Sequence, residues 1–242
     1  MKTLSTGNAM KNSTNDVVYV YKKNLGDSEE LKYSLRTVFK NWEHRKVWII
    51  GDCPDWVNSE QVNMIQVNRR YDDKYEDVNQ KLLRICEEEA VSEDFWLFND
   101  DFFVMKKINP EKYKVYSDGT LESKLLDISC RPSTDMKYYE AFEEVLKQYM
   151  DGFSYDTHSP MLLNKDKLKE VLLKYPKSPC RRSIYGNLYQ VEKEVRPDCK
   201  VYKLMDKVNQ KEPLLSTTDI AFYGNAGRMI KSIFKEKCIY EY

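Results

Sequence analysis

The stretch EDFWLFNDDFFVMKKI, residues 93–108, is rich in large apolar side chains, yet Asn99, Asp100 and Asp101 interrupt it. Six residues from Phe95 to Phe103 are large and apolar. A carboxylate removed from water is costly unless a cation or hydrogen-bond donors meet it. Two adjacent acids here therefore mark the end of a buried strand, and whatever meets them sets the chemistry of the protein.

Upstream, DVVYVYK (16–22) is β-branched and aromatic and predicts the opening strand. SEELKYSLRTVFKNW (28–42) places Leu31, Leu35, Val38 and Phe39 on one helical face, with Ser28 as the expected N-cap. KVWIIGD (46–52) reads as a second strand and NMIQVN (63–68) as a third. DVNQKLLRICEEEA (77–90) reads as a helix with Leu82, Ile85 and Cys86 inward, and DFWLFND as a fourth strand. This alternation predicts an α/β fold: a mixed, mainly parallel sheet flanked by helices in a single domain. Ligands gather at the carboxyl ends of the strands in such sheets. Asp52 and the Asp100–Asp101 pair both stand where strands end. Downstream, 134–150, 164–176 and 226–237 read as helices. The segment DGFSYDTHSPMLL between the first two is a polar, aromatic loop holding His158.

The 242 residues carry 39 basic and 39 acidic side chains, and this zero net charge argues against a general grip on nucleic acid. Eighteen tyrosines suit clefts and wet interfaces. The six cysteines are widely spaced, with no CxxC and only two histidines, so they read as reduced thiols of a cytoplasmic type of protein. No apolar run is long enough to span a membrane. The leader at 1–15 reads as a disordered tail, with Met10 as an alternative start. The rest, 16–242, reads as one domain, with a nucleotide-binding half at 16–108 and an acceptor-side half at 109–242.

An acid pair at the end of an apolar strand suits Mg²⁺ or Mn²⁺, which take a few carboxylates and leave other positions to water and phosphate. The plainer alternative is a strand-end turn with one acid capping and the other solvated. His158 is a candidate base for an acceptor hydroxyl, as is Asp156 if desolvated. Asp219, beside an apolar run, is expected to be partly buried and raised in pKa. Arg181 and Arg182 are paired donors suited to phosphate. His44 reads as a surface residue.

The segments ELKYSLRTVFKNW, KVWIIGDCPDW and NDDFF together resemble nucleotide-sugar transferases of the GT-A class in large viruses, phages and bacteria, including the chlorovirus enzymes that glycosylate the capsid. DVVYVY, ELKYSLR, FNDDFF, YDTHSPMLLNKDKL, RRSIY and LLSTTDIAF are also similar to the Stealth proteins, sugar-phosphate transferases of capsule synthesis. The resemblance covers about residues 16–242, and its most specific piece is the order of ELKYSLR and NDDFF. It implies a GT-A, Rossmann-like fold and a cytoplasmic enzyme, in the host cytoplasm if viral. Asp100 and Asp101 would form a DXD-like Mn²⁺ or Mg²⁺ and diphosphate site. Tyr19, Tyr21 and Asp52 would line the nucleotide pocket, with Arg36, Asn79, Lys81 and Arg182 as further donor contacts. For Tyr19 and Tyr21 the alternative is ordinary strand packing; for Arg36, Asn79 and Lys81 it is a solvated helix surface. The chain departs from the Stealth pattern at YKKNLGD, where an acidic turn is usual, which counts against phosphotransfer.

The expected activity is transfer of a hexose from a UDP- or dTDP-linked sugar to a hydroxyl, with Asp156, His158 or Asp219 as base. Transfer of a sugar 1-phosphate is the alternative, and an inactive sugar- or nucleotide-binding module the third. Acceptor, sugar, stereochemistry and oligomeric state are not legible in the sequence.

Overall fold

Strand β1 (Asp16–Tyr21) is the strand around which the main sheet is ordered in a computed structural model that describes residues 15–23, 29–68, 71–130 and 136–242. After helix α1 (Glu30–Asn41), β2 (Val47–Gly51) pairs parallel to β1 and β3 (Val62–Gln66) parallel to β2. Helix α2 (Lys74–Glu87) then returns the chain to the other side of β1, where β4 (Asp94–Phe98) pairs parallel to it. The order is completed as β3-β2-β1-β4-β7 by β7 (Met161–Asn164), antiparallel to β4. The expected mixed, mainly parallel sheet is therefore present, and its strand order reverses between β1 and β4. Because β7 comes from the second half of the chain, the two halves share one sheet.

Both faces of the sheet are covered, and the period of two along each strand assigns the side chains. Val18, Trp48, Ile50, Phe95 and Leu97 pack on one face with Leu82 and Ile85 of α2. Val17, Tyr19, Tyr21, Ile49, Trp96 and Phe98 pack on the other with Leu31, Leu35 and Val38 of α1. Each such side chain contributes about 1.5–3 kcal/mol by leaving water. Phe39 departs from the expected inward face and is 46% exposed. α2 starts three residues before the predicted position because the Asp73 side chain caps it, accepting from the Tyr75 and Glu76 amides.

The apolar stretch that opened the reading is two strands, not one. After β4 a tight turn, closed by the Phe102 amide donating to the Asn99 carbonyl at 3.2 Å, delivers β5 (Phe102–Val104) out of the main sheet. A short helical turn (Pro110–Lys112) leads to β6 (Val115–Ser117), α3 (Leu121–Ser129) and α4 (Met136–Gln148). After β7 come α5 (Lys165–Lys174), α6 (Arg181–Leu188), β8 (Lys193–Val195) and β9 (Lys200–Val201). The chain ends with β10 (Leu214–Thr217), α7 (Asp219–Tyr223) and α8 (Asn225–Ile233). β5 pairs antiparallel with β10, which pairs parallel with β9, while β6 pairs with β8. The cysteines are free: Cys86, Cys180 and Cys238 are buried, Cys53 and Cys199 half-buried, and Cys130 exposed. Ser28 and most of the leader lie outside the described residues, among which no helix is long and apolar enough to cross a membrane.

Candidate active site

The turn carrying Asp100 and Asp101 stands at the carboxyl end of β4, beside the reversal of strand order, where open α/β sheets bind ligands. A polar stripe on α1 holds it there. Ser34 Oγ donates to the Phe102 carbonyl at 2.5 Å, Thr37 Oγ1 accepts from the Val104 amide at 2.9 Å, and Asn41 donates to the Val104 carbonyl at 2.7 Å. These three side chains satisfy the edge of β5 that β10 does not reach, so the turn before it cannot drift.

The two ends of the sheet treat their acids differently. At the amino end Asp16 is fully buried and fully met: Arg45 binds it in bidentate fashion at 2.8 and 2.7 Å, Trp48 Nε1 donates at 2.9 Å and the Ser92 amide at 2.9 Å. At the carboxyl end Asp101 Oδ2 accepts from Lys200 Nζ at 2.7 Å and from Ser216 Oγ at 2.9 Å. Buried Glu30, at the start of α1, accepts from Thr217 Oγ1 at 2.8 Å. Asp100, Asp101, Glu30 and Asp219 line one open cleft of about 490 Å³ with Lys200 as its cation. Burial, then Asp101, pushes the Asp100 carboxyl up to about 7, with Asp219 adding and Lys200 opposing. Burial likewise pushes Glu30 up to about 8, against its Thr217 bond and with Asp100, Asp101 and Asp219 adding. The cluster holds more negative charge than its surroundings neutralise.

A second cleft, of about 430 Å³, opens on the Asn99 side of the same turn and is lined by Asp156, His158, Arg181 and Asp198 among others. Asp198 clamps His158 twice: the His158 amide donates to Oδ1 at 3.0 Å and Nδ1 donates to Oδ2 at 2.6 Å. That bond commits Nδ1 and leaves Nε2 as the basic nitrogen. Burial raises the Asp198 carboxyl, but the His158 hydrogen bonds and charge outweigh it and hold the group below its ordinary value. Arg182, at the start of α6, donates to the Thr157 carbonyl at 2.5 Å and the Ser159 carbonyl at 2.8 Å, gripping the loop on both sides of His158. Asp156 accepts from Ser183 Oγ at 2.5 Å; burial raises its carboxyl, against that bond and the charges of Arg182 and Arg181.

The structure brings Asp100, Asp101, Asp156, His158 and Asp219 to these two clefts and sorts the other predicted residues differently. Tyr19 and Tyr21 share the α1 face of the sheet and belong to the core; Tyr19 OH meets Ser34 Oγ at 2.9 Å, so neither ring is free to stack on a base. Arg36 is a buried anchor, bidentate to Glu241 at 2.7 Å and donating to the Phe234 and Lys235 carbonyls at 3.0 Å. Asn79 is fully buried and donates to the Pro176 and Ser178 carbonyls, tying down the approach to α6. Lys81 is 2% exposed and paired with Asp77 at 2.6 Å. Arg182 is spent on the two backbone carbonyls. Asp219 is exposed rather than partly buried, because it starts α7 after β10 has ended. Asp52 does sit at the carboxyl end of β2, accepting from the Lys23 amide at 2.6 Å. Gly51 before it has φ +122, and a Cβ there would stand 2.0 Å from the Tyr21 carbonyl oxygen. His44 is not a free surface residue: its two ring nitrogens meet the Trp42 carbonyl and Tyr240 OH, each at 2.6 Å.

Glu30, Asp198 and Lys200 escaped the sequence reading. Glu30 hides in the first turn of an amphipathic helix, where an acid is ordinary. Asp198 and Lys200 flank Cys199 in a segment without periodicity; the one local cue is Pro197–Asp198, a turn signal.

Among the described residues no three His, Cys, Asp or Glu side chains are grouped to hold a metal ion. The donor set at the turn is two neighbouring carboxylates in charge excess, which fits a hard cation whose other ligands are phosphate and water rather than a closed protein cage.

No protein-family model matches the chain, and no curated protein sequence does. Among solved structures it is similar to the crystal structure of the glycosyltransferase GlyE of Streptococcus pneumoniae TIGR4, with 8% identity and a TM-score of 0.41. The match covers 76% of this chain and 45% of GlyE, so the chain spans less than half of that protein's length.

Proposed function

We propose that the chain is a glycosyltransferase that moves a sugar from a nucleotide-diphosphate donor to an acceptor hydroxyl, with Asp100 and Asp101 holding a Mn²⁺ or Mg²⁺ ion. The observation that carries this reading is the position of an under-neutralised carboxylate pair at the strand-order reversal, next to a cleft that contains a His158–Asp198 dyad. A divalent cation bound there would offset negative charge on the diphosphate as it leaves. The uridine or thymidine identity of the donor is supported by the sequence resemblance.

The chain's own residues supply the rest. Lys200 orients Asp101, and Ser216 fixes the same oxygen. His158 takes the acceptor proton on Nε2, and Asp198 stabilises the imidazolium that results. Arg182 keeps the His158 loop in place through the carbonyls of Thr157 and Ser159. Asp156, with a raised pKa and a bond to Ser183, is available to accept from a sugar hydroxyl. Asp219 lies at the exposed rim of the acidic cleft, which suits it less to the role of base.

Calorimetry of UDP- and dTDP-sugars with and without Mn²⁺ tests the reading. Binding should require Mn²⁺ and be lost in Asp101→Asn and Asp100→Asn. Equal affinity with and without the ion, or in the variants, would overturn the metal role.

A further inference from the structure

The two arginines that open α6 have different fates. Arg182 puts both terminal nitrogens on backbone carbonyls. Arg181 is not: among the described residues its guanidinium makes no hydrogen bond and no ion pair, and its Nε is buried without a partner. A guanidinium cannot shed its proton in a protein, and Arg181 is half-buried with its Nε shut off from water, so the missing partner is a cost. Burial lowers its pKa, and Asp156 is the main charge holding it up, yet no hydrogen bond or ion pair joins the two, and Asp156 Oδ2 accepts from Ser183.

Arg181 lines the His158 cleft, and the surroundings make that cleft a place for an anion. Its charged lining is Lys74, Lys124, Arg181 and Arg182 against Asp156 and Asp198. Asp198 is committed to His158, and Lys124 is paired with Asp118. The N-cap of α6, Cys180, provides no side-chain bond to the helix, so the positive end of its dipole adds at the same place. The buried Nε is out of a ligand's reach, but the two terminal nitrogens, also without a partner among the described residues, form a fork shaped for two parallel bonds to an oxyanion.

We propose that this cleft takes an acceptor carrying an oxyanion, a carboxylate or a phosphate, which pairs with Arg181 while the hydroxyl to be glycosylated faces His158. The word acceptor rests on the glycosyltransferase reading; the anion site itself does not. Neutral sugars take water from Arg181 without offering it an oxyanion, so discrimination against them follows from the cost of the charge left unpaired.

The test is calorimetry of glucose 6-phosphate, glucuronate and glucose in the presence of EDTA, so that no divalent cation contributes. The two anionic sugars should bind at least about tenfold more tightly than glucose. Whichever of them binds more tightly identifies the oxyanion as phosphate or carboxylate. Arg181→Gln should erase the preference without lowering the unfolding temperature, since it removes a half-buried charge that has no partner among the described residues. Arg181→Lys, which keeps the charge but loses the fork, should weaken it by at least about threefold. Asp101→Asn should leave it intact. Equal binding of glucose and the anionic sugars, or a preference that survives both Arg181 variants, would overturn the proposal. Mn²⁺-dependent nucleotide-sugar binding reports separately on Asp100 and Asp101, so that reading and this one can fail independently.

Discussion

Lys200 Nζ stands 2.7 Å from Asp101 Oδ2 although the two residues are 99 positions apart in the chain. It is the cation that faces an acidic cleft otherwise lined by Glu30, Asp100, Asp101 and Asp219. Lys200→Met should therefore lower the unfolding temperature more at pH 8 than at pH 5, because Asp100, whose carboxyl is pushed up to about 7 and whose charge Lys200 offsets, is ionised mainly at the higher pH. Added Mn²⁺ should restore much of the loss, read by thermal unfolding at the two pH values.

Asp100 and Glu30 set the sign of the pH dependence. Their folded pKa values, about 7 and about 8, lie above the ordinary 3.8 and 4.5. Between those limits the folded state binds more protons than the unfolded chain, so stability falls as pH rises through the window from about 4 to about 8. Asp198 and Glu241, whose pKa values are lowered, act in the opposite sense but only in more acid solution. Asp100→Asn should flatten the fall and raise stability at pH 8 by about 1 kcal/mol, a rise of roughly 2–4 °C in Tm for a chain of this size.

The His158–Asp198 clamp predicts a kinetic signature. Asp198→Asn should lower kcat by about 10²-fold with little change in donor KM, because it alters the tautomer and charge of the base rather than donor contacts. His158→Gln should cost as much, and the double variant no more than either, since the two act as a unit. Additive losses in steady-state kinetics would place one of them outside the proton transfer.

Arg36 has a structural prediction instead. It joins α1 to the C-terminal tail through Glu241, with both side chains buried. Arg36→Met strands a buried carboxylate and should cost about 3–5 kcal/mol, whereas replacing both partners by apolar residues should recover most of it. The midpoint of urea unfolding measures both.

The sheet was legible because burial on two faces leaves a local mark: runs such as VVYVY and VWIIG are apolar at nearly every position, and short parallel strands are separated by helices of the right length. The acid pair was legible for the same reason, as polarity inside such a run. The misassigned residues share a different cause. Tyr19, Arg36, Asn79 and Lys81 carry groups that suit a ligand equally well as they suit a buried partner. Only the neighbours, Ser34, Glu241, the 176–178 turn and Asp77, tell which.

Sequence alone was enough for the parallel α/β order, the strand end at Asn99–Asp101 and the loop around His158. All of these are local patterns of polarity and period, governed by which face of an element meets water. The partners were decided by tertiary structure: Lys200 on Asp101, Asp198 on His158, and the division of labour between Arg182, spent on its own loop, and Arg181, left without a bond among the described residues. Those pairings join segments tens of residues apart, and no periodicity records them. Their energy comes from desolvation and distance, which exist only once the chain has closed.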